Sequence, residues 1–314
     1  MTPALPIGTK PNVVFDTDPG ADDALALIWL CALHRSGRIN LAHVTAVGGN
    51  VGIDDTWMNA DLLLQLCQCP DVPLSAGSAA GGEQARHVHG DDGLAGLRAQ
   101  LPLTPRTRSA APARDVLTQL NAMEPAPALI AVGPLTNLAQ ALQQNPDALQ
   151  QAQRLVVMGG ALDGGNITPY AEFNVHHDPR SWATTLAQAP LDIITLETTH
   201  QVFFDQDITQ LRLPGALGRF VHGLLRAMCQ ASIARLGKPR FFVHDALAVA
   251  AVCYPDLIEF GDITLGVVLQ GARCGALDRA APDARPARVA TSIDAEGLKK
   301  QLIVDISALC AALA

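Results

Sequence analysis

The sequence has no cluster of basic residues, no long apolar run and no pair of cysteines with C-x-x-C spacing. Its 22 basic and 30 acidic residues give a net charge of −8, which argues against nucleic acid as the main partner. No run approaches the roughly 20 apolar residues that a membrane-spanning helix needs. Met1–Lys10 also lacks the pattern of a signal peptide. We therefore expect a cytoplasmic protein that binds neither nucleic acid nor membranes.

The seven cysteines are scattered, and their odd number and spacing suggest neither a zinc knuckle nor a thioredoxin-type redox site. This pattern fits a reducing compartment. Hydrophobic residues make up 49% of the 314 residues, enough for a large buried core. Because no linker or repeat divides the chain, we expect one domain over residues 1–314.

Short β-branched runs alternate with longer helical patterns. The predicted strands are Asn12–Asp16, Leu41–Val47, Ala128–Val132, Arg154–Met158 and Leu191–Leu196. The predicted helices are Ala21–His34, Ile53–Leu66, Asn137–Gln144, Pro179–Ala189 and Ala295–Leu313, and Ala281–Ala287 is predicted as a surface loop. The alternation indicates an α/β fold with an open, mostly parallel, Rossmann-like sheet flanked by helices.

Polar or glycine-rich motifs follow each predicted strand. They are Asp16–Asp23, Gly48–Asn50, Gly133–Asn137, Gly159–Gly160 and Glu197–His200. In an open parallel sheet the carboxyl ends of the strands lie along one edge, and ligands bind there. The sequence therefore predicts an active site at that edge.

The most acidic of these motifs carries four carboxylates within eight residues, namely Asp16, Asp18, Asp22 and Asp23. Like charges so close together are costly unless a cation compensates them, and Ca²⁺ prefers oxygen ligands of this kind. An acidic turn with one capping aspartate is the structural alternative. On a helix that begins near Ala21, Asp22 and Asp23 point about 100° apart. One could therefore hold a metal while the other activates a water molecule.

Three further motifs carry polar groups. His244 and Asp245 precede an apolar helical run, and Asp245 could complete an oxygen cage. Glu172 and Asn174 alternate, so in an extended segment they face one side and could bind a vicinal diol. His87–Leu94 holds two histidines without a third ligand nearby, so this glycine-rich loop is predicted to form a polar pocket wall rather than a zinc site. Asp178 is predicted as the N-cap of a helix that begins at Pro179.

Together these residues resemble the nucleoside hydrolase family, the inosine–uridine-preferring ribonucleoside N-glycosidases. The family motif D-T-D-P-G-x-D-D-A stands here at Asp16–Ala24. The resemblance continues through Gly48–Asn50, His89-Gly90, Gly133–Asn137, Met158–Gly160, Asn166, Glu172–Asn174 and His244-Asp245.

The resemblance implies Ca²⁺-dependent hydrolysis of ribonucleosides to free base and ribose, through an oxocarbenium-like transition state. It implies Ca²⁺ ligation by Asp18, Asp23, Asp245 and the backbone carbonyl of Thr136, with Asp22 as general base. His244 would protonate or orient the leaving base, and His89 would line the base side of the pocket. The implied ribose-binding residues are Asn50, Met158, Asn166, Glu172 and Asn174. A homodimer or homotetramer is also implied.

One departure from the family concerns Met228–Val243. Several members carry a tyrosine in this segment, whereas this chain has tyrosine only at positions 170 and 254. The segment offers Arg235 and Lys238 instead, and we hypothesise that one of them approaches the base when the segment closes.

Parts of the sequence also fit two other functions. A phosphohydrolase of the haloacid dehalogenase type would use Asp16 as nucleophile in an Asp-x-Asp motif. Gly20 and the extra carboxylates of Asp22 and Asp23 fit that function poorly. A non-catalytic, Ca²⁺-dependent ribose-binding protein would need no base or acid, whereas this chain has candidates for both.

Overall fold

The computed structural model describes residues 10–101, 104–150 and 152–314, without the side chains of residues 235 and 236. Residues 1–9 of the segment Met1–Lys10 lie outside the described residues. The strands are β1 Asn12–Thr17, β2 Asn40–Ala46, β3 Leu74–Ala76, β4 Ala128–Ala131, β5 Arg154–Met158, β6 Asp192–Ile194, β7 Phe203–Phe204, β8 Phe241–Phe242, β9 Ile258–Val267, β10 Leu277–Asp278 and β11 Arg285–Ile293. The helices are α1 Ala21–Arg35, α2 Ile53–Leu66, α3 Arg86–His89, α4 Ala113–Thr118, α5 Thr136–Gln144, α6 Phe173–His177, α7 Pro179–Gln188, α8 Leu196–Thr199, α9 Gly215–Leu236, α10 Ala246–Cys253 and α11 Ala295–Ala312.

Nine strands form one sheet in the order β10-β9-β11-β6-β5-β4-β1-β2-β3. The pairs from β11 through β3 are parallel, while β9 pairs antiparallel with both β11 and β10. β7 and β8 form a separate antiparallel pair. The predicted open, mostly parallel sheet flanked by helices is confirmed.

The five predicted strands and the five predicted helices are all present, with ends that differ by at most two residues. The remaining strands were not predicted. The predicted loop Ala281–Ala287 was wrong at its end, because β11 begins at Arg285. β11 lies against β9, whose middle faces solvent, so both strands carry many polar residues and lack a continuous apolar run.

The burial of β1 explains why the acidic motif lies deep in the molecule. All six residues of β1 are buried, because the strand lies between β4 and β2 and helices cover both faces. Twelve of the fifteen residues of α1 are buried as well. The turn that joins β1 to α1 therefore opens at the sheet's carboxyl edge, between the ends of β4 and β2. No helix in the described part of the chain is both long and apolar enough to cross a bilayer.

Candidate active site

The turn between β1 and α1 is organised around the carboxylate of Asp23. Its Oδ1 accepts hydrogen bonds from the Thr17 hydroxyl at 2.7 Å and from the Asp18 backbone N–H at 3.2 Å. Its Oδ2 accepts from the backbone N–H of Gly20 and from Nδ2 of Asn50, both at 3.0 Å. These bonds hold Asp23 at the first turn of α1, where the helix dipole favours negative charge.

Asp18 is enclosed by backbone from the two neighbouring strand ends. A Cβ atom placed on Gly49 would lie 2.2 Å from Oδ2 of Asp18, and one on Gly133 would lie 2.4 Å from Oδ1. Oδ2 accepts from the backbone N–H of Asn50 at 2.8 Å. Oδ1 is buried and has no hydrogen-bond partner among the described residues. The two glycines therefore allow a carboxylate oxygen to be buried there with an unused lone pair.

Three carboxylates meet next to this turn. One oxygen from each of Asp22, Asp23 and Asp245 lies within 4.8 Å of the others. Burial raises the pKa of all three carboxyl groups, and the charges of neighbouring carboxylates raise those of Asp22 and Asp245 further, to about 8 for Asp22. Burial and the charge of Asp23 raise the pKa of Asp18 as well. No arginine or lysine pairs with these four groups among the described residues. The cluster thus has the charge and the oxygen atoms of a cation site.

A cavity of about 220 Å³ opens over this cluster. Ten of the twelve predicted site residues line it. They are Asp22, Asp23, Asn50, His89, Met158, Asn166, Glu172, Asn174, His244 and Asp245. Residues far apart in the sequence therefore meet at the carboxyl edge of the sheet, as the strand-end argument predicts.

Glu172 and Asn174 reach the cavity in a different way from the one predicted. Asn174 lies in the short helix α6 rather than in an extended segment, so the predicted alternation was wrong. Glu172 is the N-cap of α6, and its carboxylate accepts from the backbone N–H groups of Asn174, Val175 and Gly160. Asn174 donates through Nδ2 to the carbonyl of Val132 at 2.7 Å. A helix cap, not a strand, therefore orients both side chains toward the cavity.

Thr136 is the predicted metal ligand that the structure does not bring to the cluster. It is the first residue of α5, where a backbone carbonyl normally accepts from the fourth residue ahead. Its hydroxyl donates to Asp178 Oδ2 at 2.6 Å, and it does not line the cavity. Val132, at the end of β4, does line the cavity. The structure thus has Val132 rather than Thr136 on the cavity wall, since α5 already begins at Thr136, and a metal contact of the Thr136 carbonyl stays a prediction.

Two histidines lie on the cavity wall in defined orientations. Nδ1 of His89 accepts from the backbone N–H of Ala21 at 3.1 Å, which places the proton of a neutral ring on Nε2. Nδ1 of His244 lies 2.8 Å from the hydroxyl oxygen of Thr199. The His244 ring also stacks on Phe242, with centroids 5.6 Å apart. Each ring is thus fixed by one nitrogen and by its neighbours.

The segment Met228–Val243 contributes to the cavity through residues that were not predicted. They are Met228, Ala231, Ser232, Arg240, Phe241 and Phe242. Lys238 is exposed and does not line the cavity, and the side chain of Arg235 lies outside the described residues. The Phe241-Phe242 pair was a signal for a strand that reaches the cavity, but two residues are too few for a pattern.

Asp16 argues against the phosphohydrolase alternative. It is completely buried within β1 and does not line the cavity. Its Oδ1 accepts from the hydroxyl of Thr45 and from Nδ2 of Asn137. A phosphate could not reach this carboxylate, so it cannot act as a nucleophile in this structure.

The chain resembles several known proteins over nearly its full length. It is 33% identical over 305 residues to the non-specific ribonucleoside hydrolase RihC of Salmonella enteritidis, covering 92% of this chain and 95% of RihC. It is 36% identical over 269 residues to an uncharacterized protein of Schizosaccharomyces pombe, covering 82% of this chain and 85% of that protein. The structure matches a plant nucleoside hydrolase with a TM-score of 0.88 and 26% identity, covering 96% of this chain and all of the other.

A family profile gives the same result. The profile described as inosine-uridine preferring nucleoside hydrolase matches residues 13–300. That range contains the acidic turn, the cavity and the sheet that positions them. The chain therefore belongs to the inosine-uridine preferring nucleoside hydrolase family, and it is a ribonucleoside hydrolase by that membership.

Proposed function

We propose that this chain cleaves the N-glycosidic bond of ribonucleosides with Ca²⁺ in the acidic cluster and with Asp22 as the general base. The observation that carries the proposal is the convergence of Asp22, Asp23 and Asp245 in a cavity that Glu172 and Asn174 also line. Carboxylate and amide groups together suit a sugar that becomes positively charged in the transition state.

The residues present fit a hard divalent cation. Asp18, Asp23 and Asp245 would hold it, and the carbonyl of Val132 is a further oxygen at the cavity wall. Oδ1 of Asp18 is buried without a hydrogen-bond partner, and the pKa values of the clustered carboxyl groups are raised. Both observations favour a bound cation next to these groups. A donor set made only of oxygen favours Ca²⁺ over zinc or copper. When bound, the ion would compensate these charges and lower the pKa of a water molecule.

Asp22 is the member of the cluster suited to proton transfer. Its side chain is partly exposed to the cavity, whereas Asp18 and Asp23 are fully buried. Asp23 also has both oxygens occupied by hydrogen bonds. Asp22 would take a proton from the attacking water as the water adds to the anomeric carbon of the ribose.

The ribose would lie against the amide and carboxylate groups of the wall. Glu172 and Asn174 are held by backbone hydrogen bonds, so they lose little entropy when a sugar binds. Asn50, Asn166 and Met158 complete this part of the cavity. Carboxylate and amide oxygens accept hydrogen bonds from the sugar hydroxyls and stabilise developing positive charge on the ring.

The nucleobase would leave toward the two histidines. His244 would donate a proton to the departing base or orient it, because an imidazole can do so near neutral pH. His89 would line the base side of the cavity.

The test is release of free base and ribose from inosine, adenosine, guanosine, uridine and cytidine, without added phosphate and with or without a Ca²⁺ chelator. We expect turnover on at least one nucleoside, its loss with chelator and its recovery with Ca²⁺. Unchanged turnover in the metal-free protein would contradict the role of the ion. No turnover in a protein that holds Ca²⁺ would favour the ribose-binding alternative.

We further propose one domain over residues 1–314, a cytoplasmic location and a homodimer or homotetramer. The single nine-stranded sheet supports the first point. Light scattering on the purified protein would give the oligomeric state, and a monomer would contradict the last point.

A further inference from the structure

The cavity wall formed by α9 and β8 carries a permanent positive charge. This α9–β8 wall consists of Met228, Ala231, Ser232, Arg240, Phe241 and Phe242. Among the described residues that line the cavity, Arg240 is the only arginine or lysine. If the carboxylates hold the cation and the ribose, the base has to contact the remaining lining. A cationic side chain there faces the leaving group rather than the sugar.

Arg240 is held by a contact of its side chain and by a hydrogen bond of its backbone. Its guanidinium carbon lies 4.2 Å from the centroid of the Phe203 ring in β7. Its backbone N–H donates to the hydroxyl of Ser232 at 3.3 Å, and that hydroxyl donates to the carbonyl of Lys238 at 2.9 Å. Stacking on an aromatic ring leaves the edge N–H groups of a guanidinium able to donate. The side chain is therefore ordered before a nucleoside binds.

The charge of Arg240 is only weakly compensated by the protein. Nε lies 3.8 Å from Oδ1 of Asp205, at the outer limit of an ion pair. The Asp205 side chain is 62% exposed, so water screens the pair strongly. The positive charge of Arg240 is therefore available to interact with a ligand in the cavity.

A guanidinium discriminates between bases by their hydrogen-bonding groups. It has five N–H donors and no acceptor. Hypoxanthine, guanine and uracil carry a carbonyl oxygen at C6 or C4, which can accept from it. Adenine and cytosine carry an amino group there, which can only donate. An oxo base that leaves as an anion also places negative charge on this oxygen, which a nearby cation stabilises.

We propose that Arg240 is the specificity-determining residue for the base, and that it selects 6-oxopurine and 4-oxopyrimidine nucleosides over their amino counterparts. This inference rests on the proposed function, because it assumes that the base lies against the α9–β8 wall. In this proposal Arg240, rather than Arg235 or Lys238, contacts the base.

The experiment compares kcat/KM for inosine with adenosine and for uridine with cytidine, in the wild type, Arg240→Gln and Arg240→Met. We expect the wild type to prefer inosine and uridine. Both variants should lose about 10- to 100-fold on inosine and uridine, the size of one charged hydrogen bond, and change little on adenosine and cytidine. Arg240→Met keeps a flexible apolar stem on Phe203, so it serves if the glutamine variant folds poorly. Arg226→Gln, an exposed site on α9 outside the cavity, is the matched control.

A loss in the Arg240 variants that is equal on all four nucleosides would overturn the proposal. The same holds for a wild type that favours adenosine and cytidine. A second readout separates this inference from the proposed function, namely calorimetric binding of free hypoxanthine and free adenine. If no nucleoside is cleaved, the proposed function fails. Hypoxanthine binding that weakens selectively in the Arg240 variants would then still support base recognition. Absent or unaltered hypoxanthine binding would overturn it.

Discussion

The two edges of the central sheet bury acidic side chains in opposite ways. At the amino edge, Asp192 of β6 lies between Arg154 of β5 at 2.6 Å and Arg288 of β11 at 3.0 Å. At the carboxyl edge, Asp22 and its neighbouring carboxylates meet without an arginine or lysine partner among the described residues. The protein supplies its own counter-charge at one edge and leaves it to a ligand at the other. The comparison separates a carboxylate that stabilises the fold from carboxylates that prepare a site.

The largest effect that we expect comes from removing one carboxylate at the carboxyl edge, and it is an effect on catalysis. Asp22→Asn keeps the size of the side chain but removes the proton acceptor, so kcat should fall by roughly 10²- to 10⁴-fold. Because Asp22 is not among the proposed ligands, bound Ca²⁺, measured by atomic emission, should be retained. Asp256→Asn, at an exposed surface site, is the control. Full activity of Asp22→Asn would remove Asp22 from the mechanism, and loss of the ion together with activity would assign it to the metal site.

The next effect is on stability at the amino edge. Asp192→Asn leaves Arg154 and Arg288 facing each other without a negative charge, and both also lie over the ring of Phe260. Since Asp192 is buried and the arginines are partly exposed, we expect a loss of about 2–3 kcal/mol in the free energy of unfolding. Urea denaturation measures it. Asp54→Asn, in an exposed pair with Arg108, should cost less than about 1 kcal/mol. Equal losses in the two variants would contradict the comparison.

At the carboxyl edge, replacing an aspartate by asparagine should raise the free energy of unfolding instead of lowering it. Burial and the neighbouring carboxylates raise the pKa of Asp245 well above its usual range, so an ionised Asp245 destabilises the metal-free fold at neutral pH. Asp245→Asn should therefore stabilise the chelator-treated protein by about 1–2 kcal/mol. It should also abolish the further stabilisation that Ca²⁺ gives the wild type. Thermal unfolding with and without Ca²⁺ measures both effects. Destabilisation of the metal-free protein by Asp245→Asn would show that burial and repulsion of the carboxylates do not destabilise the fold.

The smallest effect concerns a third way to bury a titratable group, which is to keep it neutral. His43 of β2 lies 3.0 Å from the hydroxyl of Ser75, and burial lowers its pKa to about 4. The His43 imidazole binds a proton near pH 6.5 in the unfolded chain and only near pH 4 in the folded protein. The free energy of unfolding therefore falls as the pH drops through this interval. We expect the wild type to lose about 1 kcal/mol more than His43→Gln between pH 7.5 and about pH 6. Parallel pH profiles would contradict the assignment.

Much of the fold and of the site follows from local patterns. The central strands are buried on both faces, so their apolar runs are distinct, and β5 and α2 begin and end where the sequence predicts. The Asp178-Pro179 start of α7 was equally clear, since Asp178 caps the N–H of Ser181. β9 and β11 were missed because solvent covers part of each strand. A half-exposed strand mixes polar and apolar residues without a recognisable run.

The sequence alone was enough to identify the family and the succession of the central strands and helices along the chain. It was also enough to name ten residues that line the cavity. It did so because the acidic motif and the strand-end motifs are local and the topology of a parallel sheet brings them to one edge. Only the tertiary structure decided which other residues complete the cavity wall and how the predicted ones are held there. It put Val132 rather than Thr136 on the cavity wall, capped α6 with Glu172, and placed Arg240 on that wall in contact with Phe203. Such choices depend on where helices begin and which side chains pack across long separations, and the local sequence does not encode them.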